Sequence, residues 1–312
     1  MATRAPHAAH PWSFQRASGS GAFPLMPIAG TPAAHRPYLL FVRAGDKSLH
    51  PRLLAENPDR NWDCCVSWYV APRPESLAEL YSHGGFNKLD GFLEFRAQRP
   101  QPFDYRYVML IDDDVYLRPG DLSRFFSLCE HYQTYLSQPA LRWFTHTTLN
   151  ALVRNPVCVL RHVSFVEVMA PTFSAAALQA LLPTFGMTRS TWGTDVAWAG
   201  TVGGQHPIYV VDAVAMDHTR TGDGRPTAFY RKLTEMGVDP GEELRRVQRL
   251  YPAFHGSRTL PTGHIFRPGI PRFAAPALLW LFERLKFIVR IRKKLMLHVR
   301  RWRANLEDAL RR

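Results

Sequence analysis

The chain has 312 residues, 46% of them hydrophobic and 21% charged, a balance that excludes wholesale disorder and allows one large α/β domain or two small ones. Its net charge of +13 is unevenly spread: residues 277–312 carry eleven Lys or Arg against Glu283, Glu307 and Asp308, which leaves only +5 for everything else. The surplus implies an anionic partner for that segment, membrane lipid before nucleic acid, and says little about the main domain.

Cys64, Cys65, Cys129 and Cys158 form neither a C-x-x-C pair nor a zinc spacing, which favours small core residues in a reducing, cytoplasmic setting. No uninterrupted apolar stretch follows Arg4 as a signal peptide requires, and no window of about 18 apolar residues predicts a membrane span. Residues 1–36, rich in Ala, Pro, His, Gly and Ser and without periodicity, read as a mobile leader.

Tyr38–Val42 is a short apolar run that ends at Arg43-Ala44-Gly45, as a buried strand followed by a turn does. Asp63–Tyr69 predicts a second strand, closed by Pro72 and Pro74, and Tyr107–Ile111 a third. Asp121 is placed to cap a helix through Phe125, Phe126 and Cys129. Phe165–Met169 reads as a fourth strand ended by Pro171, Ser174–Leu182 as a helix capped by Ser174, and Ile208–Val211 as a late strand followed by a loop. Strands alternating with helices predict an α/β sheet with helices on both faces. From residue 277 onward, Leu278, Leu281, Leu285, Ile288, Leu295, Val299, Trp302, Leu306 and Leu310 draw one apolar stripe along a basic amphipathic helix.

Asp112-Asp113-Asp114 follows the third strand directly, and ligands of open α/β sheets bind outside the carboxyl ends of strands. Three adjacent carboxylates repel one another unless a cation compensates. Asp112 and Asp114, two apart, suit one shared Mg2+ or Mn2+ that could bridge to a diphosphate leaving group. The alternatives are a solvated turn with an Asp helix cap, a haloacid-dehalogenase-type phosphatase and a non-catalytic nucleotide- or glycan-binding protein. The phosphatase pattern expects Thr where this chain has Tyr116.

Several segments resemble the domain-of-unknown-function family 707, grouped with glycosyltransferases of the GT-A fold. They are residues 41–51 (Phe41 to Pro51), Arg60-Asn61-Trp62-Asp63, Gly84-Gly85-Phe86-Asn87-Lys88, Ser137-Gln138-Pro139-Ala140-Leu141, residues 165–171, Trp192-Gly193-Thr194-Asp195 and Val210-Val211-Asp212. The resemblance spans about residues 38–220. It implies a GT-A-like, Rossmann-like mixed sheet with helices on both faces, taken to run over 37–265; the Pro- and Gly-containing stretch before the helix reads as a linker, at 266–276, and the apolar stripe places the helix at 277–312.

By this resemblance, His218 after the late strand joins Asp112 and Asp114 as a ligand of Mn2+ or Mg2+, or else it is an exposed loop histidine. Asp195 is the base for an acceptor hydroxyl, or a plain helix cap. Arg43, Gly45, Asp46, Asp63, Lys88, Asp113 and Arg220 fall where such proteins hold a nucleoside-diphosphate sugar. Gly84-Gly85 before Lys88 is by itself a weak signal, with loop flexibility as its ordinary reading. Glu167 binds the acceptor or pairs with an Arg inside the sheet. Trp192 and Trp198 offer flat faces to a sugar or pack in the core. The implied reaction is transfer of a sugar to a hydroxyl acceptor, a glycan or a lipid-linked group. An anionic membrane surface would be held through 277–312, at the inner face.

Overall fold

The computed structural model describes residues 35–289 apart from 56, 58, 71–77, 100–102, 146, 148, 220–227 and 255. The predicted leader, Arg220 and the basic segment beyond residue 289 lie outside the described residues.

In the first half of the sheet three strands are buried throughout: β1 (Tyr38–Ala44), β2 (Trp62–Trp68) and β4 (Tyr107–Ile111). They pair in parallel in the order β4-β1-β2, and β3 (Leu80–His83) adds a parallel edge beyond β2. A continuous apolar run is what a strand covered on both faces requires, so these were the legible ones.

The second half of the sheet is mixed. It contains β6 (Leu136–Leu141), β7 (Cys158–Val163), β8 (Thr172–Ser174), β9 (Ile208–His218) and β10 (Ile265–Phe266). The order across the sheet is β10-β7-β9-β6-β8-β4-β1-β2-β3, and β5 (Val115–Tyr116) pairs with β9 off this path. Helices lie on both faces, as the sequence predicts.

Four sequence expectations need correction. Phe165–Met169 is not a strand but a turn between β7 and β8. Its backbone is held from outside, by Gln138 Oε1 accepting from Glu167 N at 2.6 Å and Met169 O accepting from Asp112 N at 2.9 Å. Asp121 does not cap α3 (Pro119–His131); the helix starts earlier, on Pro119 at its first position, and Asp121 sits in the first turn. No loop follows Val211, because β9 runs on to His218. The apolar face of the C-terminal helix, described over 275–289, also differs from the predicted stripe.

Ser174 does cap α4 (Ala175–Leu181), accepting from Ala177 N at 3.2 Å. All four cysteines are free and buried. Among the described residues no helix is long and apolar enough to cross a membrane.

A register shift in β9 positions the site. Pro139 of β6 pairs with Val211, but Ala140 pairs with Ala215, so residues 212–214 are extra. Proline gives no ladder hydrogen, and a bulge is where a strand tolerates it. Beyond the bulge β9 reaches β5, pairing Val115 with His218 and Tyr116 with Asp217.

Candidate functional site

The acid triplet ends β4, and its members diverge. Asp113 turns into the protein, where its Oδ2 accepts from Tyr69 Oη at 2.9 Å and from Gly45 N at 3.2 Å. It thereby ties the carboxyl ends of β1, β2 and β4 together. A Cβ on Gly45 would stand 2.0 Å from the Tyr69 hydroxyl oxygen, so a side chain there would displace Tyr69 from Asp113.

Asp112 and Asp114 face the other way. Asp114 Oδ2 lies 3.4 Å from His218 Nε2, brought there by the β5–β9 pairing. The backbone of this corner is fixed by Thr219 N donating to Asp114 O at 2.9 Å, and by Thr145 Oγ1, which accepts from His218 N and donates to His218 O. Asp112 Oδ1 lies 2.7 Å from Lys88 Nζ. Desolvation raises the Asp112 pKa, Lys88 opposes this, and Asp114 reinforces it. The Asp112 side chain keeps 39% of its surface open, so this is desolvation in a cleft rather than in a core.

Lys88 opens α2 (Lys88–Ala97), which Asn87 caps by accepting from Asp90 N at 2.9 Å. Its ammonium also donates to Val168 O at 2.6 Å and Met169 O at 3.1 Å. Three acceptors use all three donors, so the expected reach to a phosphate is replaced by a bridge between the triplet and the 168–169 turn. Arg43 is likewise turned inward, donating to Ser67 Oγ at 2.9 Å and to the carbonyls of Gly84 and Gly85. Gly84 and Gly85 hold φ of 114° and 72°, so their role is this conformation rather than flexibility.

Two more carboxylates converge here. Burial pushes Glu167 up to about 7; Asp195 and Asp112 push it further, while His218 and Lys88 draw it down. Its Oε2 is buried and has no hydrogen-bond partner among the described residues. Asp195 also rises to about 7 through burial, against lowering hydrogen bonds from the backbones of Val196, Val168 and Asp195 itself. It sits in the first turn of α5 (Thr194–Val202), whose cap position is Gly193 with φ 89°, and its Oδ1 accepts from Val196 N at 2.9 Å, so it also satisfies a backbone donor at the start of the helix.

The remaining expected residues separate. Asp63 stands opposite Leu39 at the amino ends of the strands, bonded to Arg36 at 3.1 Å and Tyr105 at 3.2 Å. From there to the carboxyl ends is five residues, roughly 16 Å of strand, so Asp63 is not part of this site. Asp46 is exposed on the turn after β1. Trp192 is exposed near Asp195 and donates from Nε1 to Tyr230 Oη at 3.0 Å, whereas Trp198 is fully buried. Gln138, which holds Glu167, lies in a segment that carries the family resemblance but was not read as a site residue, and Thr145, which holds His218, carried no signal.

Among the described residues no group of three or more His, Cys, Asp and Glu side chains is arranged to hold a metal ion. Asp114 and His218 nevertheless offer an oxygen and an imidazole nitrogen about one coordination edge apart, and Mg2+ and its like are often held by one or two carboxylates with substrate phosphates completing the shell.

No family model matches the chain, so the resemblance to family 707 has no matching model behind it, and no curated protein matches either. Among solved structures, GalNAc-T7 with UDP, GalNAc and Mn2+ is similar with a TM-score of 0.48 and 7% identity, over 69% of this chain and 48% of that one. TarS 1-349 of S. aureus in complex with UDP-GlcNAc gives 0.42 and 11%, over 70% and 73%. The chain thus spans about half the length of GalNAc-T7. Likeness of this degree carries nothing about donor, acceptor or activity.

Proposed function

We propose that this protein is a metal-dependent glycosyltransferase of the GT-A kind, moving a sugar from a nucleoside-diphosphate donor to a hydroxyl acceptor on a glycan or a lipid-linked group. The observation that supports it is the convergence of Asp112, Asp114 and His218 with Asp195 and Glu167 at the carboxyl end of β4. Asp114 and His218 would hold Mn2+ or Mg2+ with diphosphate oxygens completing the shell, and Asp112 would lie alongside, oriented by Lys88. When bound, such an ion supplies positive charge at the leaving diphosphate.

The chain's own residues do the rest. Asp195, poised near neutrality, accepts the acceptor's proton as the acceptor oxygen bonds to the sugar carbon and the bond to the diphosphate breaks. This role belongs to an inverting reaction. Glu167, whose buried Oε2 has no partner among the described residues, orients the acceptor hydroxyl, and Trp192 gives the sugar a flat face at the mouth. Gly45 and Asp46 remain the donor-side candidates on the β1 turn, together with Arg220.

The test is calorimetric binding of nucleoside diphosphates with and without Mn2+. Affinity should depend on the ion, and Asp114→Asn should remove that dependence while leaving the melting temperature intact. Equal affinity with and without metal would sink the reading.

A further inference from the structure

The C-terminal helix meets the domain with a mixed face, on which Ala275 and Leu279 are buried beside Glu283 and Lys286 and Phe282 packs edge-on against Trp143. Glu283 Oε1 accepts from Asn155 Nδ2 at 2.9 Å, from Arg161 at 3.1 Å and from Lys286 Nζ at 2.6 Å, and its Oε2 accepts from Thr259 Oγ1 at 3.1 Å. Asn155 also donates to Leu279 O at 3.2 Å. Arg161 is fully buried and held by Asp212, in the β9 bulge, at 2.9 Å. Rolling the helix about its axis would leave these buried charges unpaired, which is strongly unfavourable, so its orientation is fixed.

The opposite side is apolar and open. Phe273 is 90% exposed, Trp280 44%, Leu281 52%, Phe287 57% and Ile288 59%. Positions 280, 281, 287 and 288 repeat at seven residues and share one face, and exposed Arg284 lies between them. A surface helix ordinarily turns a polar face to water. Patches of this kind on a helix that cannot turn inward mark an interaction surface.

We propose that this face docks on an anionic lipid bilayer, the helix lying flat in the interface. Trp and Phe beside aliphatic side chains are the composition of an interfacial face. Charge selects the bilayer over the other occupants. Arg284 lies on the face, and Arg290, Arg292, Lys293 and Lys294 follow directly in the chain. Two copies face to face would bury Arg284 of each in the contact, whereas an anionic surface pairs it with headgroups. Residues 1–34 contain Arg4 and Arg16 and no acid, so charge does not draw them there either. The inference goes beyond the sugar-transfer reading and stands without it.

The experiment is co-sedimentation of the full chain with phosphatidylcholine vesicles, with and without phosphatidylserine, and with Leu281→Glu/Ile288→Glu as the variant. Wild type should sediment with the anionic vesicles and be released by salt. The variant should bind roughly tenfold or more weakly. Its nucleoside-diphosphate affinity, measured without lipid, should equal that of wild type, which separates this outcome from failure of the proposed function. If the Glu pair lowers the melting temperature, Trp280→Ala/Ile288→Ala, which adds no charge, replaces it with the same expectation. Equal binding of variant and wild type, or no binding by wild type, overturns the proposal. So does a lipid-free dimer that the variant converts to monomer, which would assign the face to a second copy.

Discussion

His218 Nε2 lies 3.4 Å from Asp114 Oδ2 because β9 crosses the sheet's end to pair with β5. The two residues are 104 positions apart in the chain, and a strand bulge joins them. Imidazole favours Mn2+ over the harder Mg2+. His218→Asn should therefore weaken Mn2+-supported nucleoside-diphosphate binding by roughly tenfold or more, with a smaller change in Mg2+. Titration calorimetry with each ion checks this; equal losses would show that His218 acts on the fold rather than on the ion.

Lys88→Met separates a phosphate contact from a structural bridge. The ammonium is buried and bonded to Asp112 and to two backbone carbonyls. Removing it strands two backbone acceptors and a carboxylate that is partly open to water, at a cost of about 2–4 kcal/mol. A thermal melt should show a drop on the order of 10 °C. A variant that melts like wild type but binds nucleoside diphosphate poorly would restore the phosphate role that the sequence suggested.

The pH dependence of stability should run against the usual acid-denaturation slope near the site. Glu167 rises from its ordinary 4.5 to about 7, and Asp195 from 3.8 to about 7. The folded state then binds protons more tightly than the unfolded state. The stability this gives is fully present below about pH 4 and is lost as pH rises through 7. Glu167→Gln removes one share of that loss, so its melting temperature should exceed that of wild type by a few degrees (~2–4 °C) at pH 8 and by less at pH 5. An identical difference at both pH values would show that Glu167 is not held in its raised state.

The first half of the fold was open to reading because β1, β2 and β4 are mostly apolar runs, interrupted only by Arg43, Asp63 and Ser67. The second half was not. Pro139 hides β6, and Asp212 and Asp217 interrupt the apolar pattern of β9; a bulge lies beside Pro139, Arg161 pairs with Asp212 and Arg142 pairs with Asp217. At the site, the triplet was visible from its place after a strand. The true partners of Lys88 were hidden, since Val168 and Met169 lie 80 and 81 residues away. Asp63 was misplaced because the strand that it opens runs parallel to β1, which sends its first residue to the far edge.

Asp195 and Glu167 share an environment but should fail differently. Asp195 is fixed by backbone hydrogen bonds on the first turn of α5, whereas Glu167 Oε2 has no partner among the described residues. A base acts on the acceptor in the transition state, so Asp195→Asn should lower kcat by about two to four orders of magnitude with donor affinity unchanged. Glu167→Gln keeps the shape and a hydrogen-bonding oxygen while losing the charge. It should raise the acceptor KM by roughly tenfold and lower kcat much less. Steady-state transfer kinetics with saturating donor, paired with calorimetric donor binding, distinguish the two. If Asp195→Asn abolishes donor binding while turnover per bound donor persists, Asp195 holds the sugar nucleotide and the base must be the carboxyl of Glu167.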